Sequence, residues 1–314
     1  MTEKIAFVFP GQGAQYSGMG KDFFDNYDIS KSVFETANRV LNKDISGICF
    51  GGNEDELKQT VNTQPCIVAV EIAILEALKQ ELNIIPFAVA GHSLGEYSAM
   101  YCAEVLNLKD TFRAIQKRAD AMSTVKNGKM AAVISDNIDL INNCIKEASK
   151  EGEISIANYN SPKQVVITGE DNAVDKASAL LTENGILRVI PLAVSGAFHS
   201  VLMKDASNNF KTILDEITVN NAKISVYTNV DAKAETLANN FKDKMSKQIY
   251  SSVYWTQTIQ NMVKDGVTTF IEIGPGKVLS GLIKKTVPEI KVFSVSDTET
   301  LKQLKDEIKV KEII

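Results

Sequence analysis

The stretch Pro86-Phe87-Ala88-Val89-Ala90-Gly91-His92-Ser93-Leu94-Gly95 decides the fold. Its apolar run over residues 86–90 is too short for a helix and ends at a glycine, which is typical of a buried central strand. From Leu94 to Val105, small and apolar residues recur at helical spacing. The GxSxG pattern between these elements often occurs by chance, but a strand before it and a helix after it favour a turn that exposes a catalytic serine. We therefore predict an α/β protein in which Ser93 is the nucleophile.

The rest of the chain divides into a large unit and a smaller inserted one. Strands are predicted near residues 4–9, 224–227, 269–273 and 291–293, with helices between 19 and 60 and near 64–81, 199–216, 234–249, 255–265, 277–285 and 298–311. This alternation indicates a parallel sheet in a discontinuous domain that comprises residues 1–127 and 199–314.

Residues 128–198 have a different pattern, with strand, helix, strand, strand, helix and strand in that order. This βαββαβ order is the one found in ferredoxin-like units. A turn at Asn160-Ser161-Pro162 is predicted between the two middle strands. We therefore expect a small ferredoxin-like domain inserted into the large one.

Composition excludes several classes of function. The net charge of −5 and the absence of a Lys/Arg block argue against a nucleic-acid-binding chain. No uninterrupted apolar run reaches the roughly 18 to 20 residues of a membrane span, and no secretory signal precedes the first strand. The four cysteines are widely spaced and the chain has two histidines, which predicts reduced thiols, a cytoplasmic protein and no metal site.

The base that activates Ser93 is predicted by elimination. His92 adjoins the serine and should project away from it, which leaves His199 in a loop of small residues. An isolated histidine is more often structural than catalytic, but the scarcity of histidines reverses that expectation here. No acid is marked as a third member, so a backbone carbonyl could orient the imidazole.

A glycine-rich loop at residues 10–15 follows the first strand, at the sheet edge where ligands usually bind. It could supply an oxyanion-hole donor or be a simple tight turn. A nucleotide-binding interpretation is weak, because the third glycine of GxGxxG is absent.

Several motifs together resemble the malonyl-CoA:acyl carrier protein transacylases and the acyltransferase domains of polyketide and fatty acid synthases. The resemblance runs the full length of the chain and is carried by FVFPGQGAQ (7–15), TQP (63–65), GHSLGE (91–96), the helix of Arg118, ANYNSP (157–162), GAFHS (196–200) and IGPGK (273–277). It implies an α/β-hydrolase-like domain with a ferredoxin-like insertion.

The resemblance also implies a ping-pong reaction, in which Ser93 takes malonyl from coenzyme A and passes it to the phosphopantetheine thiol of an acyl carrier protein for fatty acid synthesis. His199 would serve both halves, and the backbone amides of Gln12 and Leu94 would form the oxyanion hole. Arg118 would hold the malonyl carboxylate with a bidentate fork, although the sequence Gln116-Lys117-Arg118 would equally suit an exposed helix residue.

Other expectations follow from the same resemblance. Gln64, Asn160 and Phe198 are assigned to the substrate site, and Phe198 favours malonyl over methylmalonyl. Tyr254 stands where the family often has glutamine. Because the resemblance implies that a backbone carbonyl in this region contacts the histidine, the change of side chain need not disturb the base. The implied enzyme is monomeric and needs no cofactor, and Lys277, Lys284 and Lys285 could either dock the acidic carrier protein or complement a helix dipole.

Three alternatives remain open at this point. A serine hydrolase would use the same elbow with water as acceptor, and a scaffold protein would bind carriers without catalysis. Arg118, the insertion and the IGPGK segment match transacylases better than esterases. The third alternative is a free-standing acyltransferase of the same family that serves a modular synthase.

Overall fold

The structure, a computed structural model, describes residues 3–194 and 196–312 and contains two β-sheets. In chain order its strands are β1 (Ile5–Phe9), β2 (Ala88–Gly91), β3 (Lys129–Val133), β4 (Ile154–Ser161), β5 (Gln164–Gly169), β6 (Val189–Pro191), β7 (Ser225–Tyr227), β8 (Ala234–Glu235), β9 (Thr269–Ile273) and β10 (Lys291–Val295). The larger sheet has the order β10-β9-β1-β2-β7-β8, and the smaller has the order β4-β5-β3-β6.

The larger sheet is parallel except at one edge, where β8 runs antiparallel to β7. The predicted α/β class with a parallel sheet is confirmed, although the short strand β8 was predicted as part of a helix over 234–249. In register, Phe9 of β1 lies beside Gly91 of β2. The carboxyl ends of these central strands therefore meet, which brings the glycine-rich loop next to the Ser93 turn.

Helices accompany both sheets. In the described part of the chain they are α1 (Lys21–Asn26), α2 (Asp28–Leu41), α3 (Ile45–Gly51), α4 (Glu54–Lys58), α5 (Thr60–Glu81), α6 (Gly95–Cys102), α7 (Leu108–Ser123), α8 (Ile138–Ala148), α9 (Asp171–Glu183), α10 (Lys204–Leu214), α11 (Ala238–Gln248), α12 (Trp255–Lys264), α13 (Val278–Thr286) and α14 (Thr298–Glu312). A 3-10 turn at Val201–Met203 precedes α10.

Helix α5 begins at Thr60, earlier than predicted, and contains Pro65 in its interior. Proline has no N–H, so the carbonyl of Val61 loses its usual helical donor. Lys43 Nζ and Gln116 Nε2 both donate to this oxygen at 3.2 Å. Tertiary contacts therefore replace the missing bond and allow the helix to continue through the proline.

By length and composition, α5 could cross a membrane, but 89% of its most apolar window is buried inside the protein. It packs between α2 and α7 in the main apolar core. Such burial is typical of the core helix of a soluble protein.

The smaller sheet has the predicted βαββαβ chain order, with antiparallel pairs and α8 and α9 packed together beside it. This confirms the ferredoxin-like unit. The predicted turn at 160–162 is wrong, because Asn160 and Ser161 belong to β4, which is bulged at its end. Asn160 lies at a register shift and has no partner in β5, and the chain turns at 162–163. The domain limits at 127/128 and 198/199 stay a prediction.

Candidate active site

The turn that carries Ser93 connects β2 to α6 in a conformation that only tight packing permits. Ser93 has φ of 53°, in the left-handed region that costs a non-glycine residue free energy. A Cβ on Gly91 would lie 1.9 Å from the Gly95 carbonyl carbon, and one on Gly95 would lie 2.3 Å from the Phe9 oxygen. Both glycines are therefore needed for strand and helix to approach closely enough to present the serine.

His199 lies beside this serine although it is more than a hundred residues away in sequence. Its Nε2 is 2.8 Å from Ser93 Oγ, and its Nδ1 lies 2.9 Å from the Gln248 carbonyl oxygen and 3.2 Å from that of Ser251. A carbonyl oxygen only accepts, so Nδ1 carries the proton and Nε2 is free to take one from the serine. The pair is a serine–histidine dyad oriented by backbone carbonyls, as the sequence suggested.

The environment keeps His199 neutral. Burial, the largest cause, and the positive charge of Arg118 lower the pKa of His199 to about 3. The imidazole is therefore in its basic form at neutral pH, which is the form that a general base requires.

Arg118, in helix α7, is fully buried, so an exposed helix arginine is the wrong interpretation. Its Nη1 donates to Gln64 Oε1 at 2.6 Å, and its Nη2 donates to Gln248 Oε1 at 2.9 Å and to Ser93 Oγ at 3.0 Å. Among the described residues the guanidinium has only uncharged hydrogen-bond partners, and its Nε has none. The Glu96 carboxyl acts on Arg118 through a coulombic interaction, without a hydrogen bond to it. A buried cation without a carboxylate hydrogen-bond partner suits a site that receives an anion.

A cavity of about 100 Å³ opens onto the serine. Besides the dyad and Arg118, its lining includes four residues predicted from the sequence, namely Gln12, Gln64, Leu94 and Phe198. The backbone amides of Gln12 and Leu94 donate to no other described residue, whereas the Ser93 amide is occupied by Asn229 Oδ1 at 2.7 Å. Both amides therefore have no competing acceptor in the described part of the chain, and their assignment to an oxyanion hole stays a prediction.

Asn160 does not line this cavity, although Asn158 does. The Asn160 side chain instead lies 2.8 Å from His92 Nε2 through its Oδ1. The ring of His92 also meets Trp255 edge-on. Asn160 therefore reaches the site through His92, and its assignment to substrate binding stays a prediction.

Tyr254 stacks on Tyr159 of β4, with ring centroids 5.2 Å apart. Next to it, Val253 pairs with β4: its amide donates to the Ala157 carbonyl at 2.8 Å, and its carbonyl accepts from the Tyr159 amide at 2.9 Å. The small domain thereby holds the segment just after Ser251, whose carbonyl orients His199. The carbonyl contacts come from Gln248 and Ser251 rather than from Tyr254.

Three polar residues of the site were not predicted from the sequence. Gln248, Asn229 and Glu96 are almost fully buried and form a network behind the elbow. A signal was available for Asn229, which follows β7 at the carboxyl end of the strand next to β2. Glu96 could also have been noticed, because a charged residue in a short helix after a buried elbow needs partners.

A serine–histidine pair on a strand–turn–helix elbow, beside a buried arginine, defines an acyl-transfer enzyme of the α/β-hydrolase-like type. The model of the acyl transferase domain family matches residues 6–314. Malonyl CoA-acyl carrier protein transacylases of Bacillus subtilis (42% identical, 95% of each chain) and Haemophilus influenzae (40%, covering 97% of this chain and 99% of the relative) are similar throughout.

Solved structures agree with these relatives. A malonyl CoA-acyl carrier protein transacylase from Clostridium perfringens matches with a TM-score of 0.94 at 37% identity, covering 99% of this chain and 98% of that one. A malonyl-transacylase in complex with a type II PKS acyl-carrier protein matches with a TM-score of 0.94 at 35% identity, covering 97% and 100%. The chain belongs to the malonyl-CoA:acyl carrier protein transacylase family of acyltransferases.

Proposed function

We propose that this enzyme transfers malonyl from malonyl-CoA to the phosphopantetheine thiol of an acyl carrier protein, through a malonyl ester on Ser93, and so supplies extender units for fatty acid synthesis. The observation that carries the proposal is the position of Arg118, a buried guanidinium with uncharged partners, 3.0 Å from the serine hydroxyl. Malonyl has a free carboxylate to pair with this cation, and acetyl has none.

In the first half-reaction, Ser93 Oγ attacks the thioester carbonyl while His199 Nε2 accepts the hydroxyl proton. The developing oxyanion accepts hydrogen bonds from the amides of Gln12 and Leu94. When the tetrahedral intermediate collapses, the C–S bond breaks and His199 returns the proton to the departing thiolate of coenzyme A. The malonyl group remains on Ser93 as an ester.

In the second half-reaction, the carrier protein's thiol gives its proton to His199 and attacks the ester. The C–O bond to Ser93 then breaks, and His199 returns the proton to the serine oxygen. Gln64 supports this cycle by holding Arg118 through Nη1. Phe198, which lines the cavity, narrows it against a branched acyl group.

The proposed enzyme acts in the cytoplasm, uses no cofactor beyond its two substrates and works as a monomer. Its four cysteines are unpaired and buried, which is consistent with a reducing compartment. Carrier docking is assigned to Lys277, Lys284 and Lys285, all of which are exposed. Lys284 also donates to the carbonyls of Pro288 and Ile290 after its helix, at 3.3 and 2.6 Å.

Single-turnover transfer tests the proposal. Purified enzyme mixed with malonyl-CoA should gain one malonyl group that peptide mapping places on Ser93, and added holo carrier protein should remove it with little free malonate. Ser93→Ala should gain none, whereas Ser123→Ala, at the end of α7, should behave as wild type. Malonate as the main product would show a hydrolase, and no adduct on the wild type would refute the mechanism.

A further inference from the structure

Two amide side chains from outside the elbow hold the peptide groups on either side of Ser93. The Ser93 amide donates to Asn229 Oδ1 at 2.7 Å, and the Ser93 carbonyl accepts from Gln248 Nε2 at 2.9 Å. Asn229 also donates through Nδ2 to the Gly91 carbonyl at 2.7 Å. Asn229 thus spans the turn from the end of β2 to the serine itself.

Asn229 is fixed in turn by the helix that follows the elbow. Its backbone amide donates to Glu96 Oε2 at 2.6 Å, and its carbonyl accepts from the Tyr254 amide at 3.1 Å. Asn229 is fully buried and Glu96 is 1% exposed. Because buried polar groups cannot exchange these partners for water, the loop after β7 has one stable arrangement against the elbow.

This arrangement matters because the Ser93 backbone is strained. A φ of 53° persists only where the surroundings over-determine it. Without Asn229, the Ser93 amide and the Gly91 carbonyl would both be buried without that partner, and the turn could relax. The Oγ position would move relative to His199, whose own place is set by other contacts.

The same contacts orient the proposed oxyanion donor. The Ser93 carbonyl and the Leu94 amide belong to one planar peptide group, so the bond from Gln248 to that carbonyl also fixes the direction of the Leu94 N–H. Gln248 lies 3.4 Å from Asn229 Oδ1 through its Nε2. The two amide side chains therefore act on adjacent peptide planes.

We propose that Asn229, anchored by Glu96, is a positioning residue that holds the nucleophile elbow in its reactive geometry. This inference rests on the proposed function, since it needs Ser93 to be the acylated residue. Asn229 touches neither the thioester nor the malonyl carboxylate in this scheme, and Arg118 keeps its own contacts. Loss of Asn229 should therefore slow acyl transfer without weakening substrate binding.

Rapid-quench measurement of malonyl-Ser93 formation tests the inference. Asn229→Ala should slow acylation about 100-fold, the cost of a small misplacement of reacting groups, while the Kd for malonyl-CoA stays within about 2-fold of wild type. Asn229→Asp keeps an acceptor for the Ser93 amide but loses the donor to Gly91. Its acylation rate should therefore lie between those of wild type and Asn229→Ala.

Glu96 supplies an independent pair of variants. Burial raises the pKa of the Glu96 carboxyl to about 7, so a neutral side chain of the same shape is compatible with the site. Glu96→Gln keeps an oxygen for the Asn229 amide and should acylate within about 3-fold of wild type, whereas Glu96→Ala should lose about 10- to 100-fold. If Asn229→Ala does not fold, the two Glu96 variants still test whether the anchored Asn229 positions the elbow.

Asn38 provides a matched control, because it also bridges two groups, the Ser46 amide and hydroxyl, and neither residue lines the cavity at Ser93. Asn38→Ala should lower the melting temperature and leave the acylation rate unchanged. If folded Asn229→Ala acylated at the wild-type rate, or if it lost only affinity for malonyl-CoA, the positioning role would be overturned while the proposed function would stand. A wild-type enzyme that forms no malonyl-Ser93 would overturn the proposed function as well.

Discussion

Replacing Arg118 with alanine should remove most of the preference for malonyl over acetyl groups. The guanidinium is fully buried and its hydrogen-bond partners Gln64, Gln248 and Ser93 are all uncharged. A malonyl carboxylate would be its charged partner in the complex. An acetyl group would leave the cation unpaired and dehydrated, which is the physical origin of the expected selectivity.

The size of the effect follows from the number and kind of contacts. Hydrogen bonds to charged groups contribute about 1.5–3 kcal/mol each, and a bidentate contact in this partly screened cavity should contribute about 3–4 kcal/mol in all. At about 1.4 kcal/mol per factor of ten, the ratio of kcat/KM for malonyl-CoA to that for acetyl-CoA should fall by about 10²- to 10³-fold.

The ratio is the informative quantity, because Arg118 also contacts the serine hydroxyl at 3.0 Å. Loss of that contact should slow transfer from both thioesters equally, so its effect cancels when one kcat/KM is divided by the other. Initial rates with both thioesters and one carrier protein give the ratio directly.

Arg113 is a matched control on the same helix. It pairs with Asp110 and Glu216 at the surface, and its side chain is 35% exposed. Arg113→Ala should leave the ratio unchanged. A ratio in Arg118→Ala within about 3-fold of wild type would refute the carboxylate-binding role, whatever happened to the absolute rates.

Three further predictions concern the base, the elbow and the core. With the pKa of His199 lowered to about 3 in the free enzyme, the acid limb of kcat/KM should lie well below the ordinary histidine value of ~6.5, and a limb near that value in a pH–rate profile would contradict it. Gly95→Ala should destabilise the fold by about 3 kcal/mol or more in urea denaturation, because its Cβ would overlap the Phe9 oxygen, while Gly281→Ala in α13 meets no atom within 4 Å and should be neutral or slightly stabilising. Burial raises the pKa of Glu71 well above its usual range, so the stability from its neutral form is present at low pH and is lost as pH rises through the folded pKa. The stability of Glu71→Gln relative to wild type should therefore increase as pH rises above the ordinary glutamate pKa of about 4.3, and a difference that stays constant with pH would disprove this.

Local patterns made the elbow predictable. Gly91 and Gly95 lie within five residues of each other and allow the tight turn at Ser93. The apolar strand before the turn and the helix after it are each recognisable from adjacent residues. His199 was found by elimination, because the chain has one other histidine and it adjoins the serine. The βαββαβ order was visible because each of its elements has its own periodicity.

Long-range contacts account for what was missed. Gln248 ends an ordinary amphipathic helix and Asn229 lies in a loop, and neither has a local pattern that marks its contact with Ser93. The early start of α5 depends on side chains of Lys43 and Gln116 that satisfy the Val61 carbonyl, which no pattern around Pro65 indicates.

The burial of Arg118 was left open for a related reason. Its neighbours Gln116 and Lys117 are polar, so the immediate sequence suits a solvated helix face. The buried face of the helix nevertheless includes Arg118 and directs it towards the serine, and the resemblance to a family was needed to anticipate that.

The pairing of Val253 with β4 has a consequence for how the enzyme matures on the ribosome. When synthesis has passed residue 199, the nascent chain already contains Ser93, Arg118 and His199, and the small domain can fold. The carbonyls of Gln248 and Ser251 that orient the imidazole are made about fifty residues later, and they are secured only when the next segment pairs with the small domain. A truncated chain that ends between 200 and 247 would therefore carry every reacting side chain and still have an unaligned base.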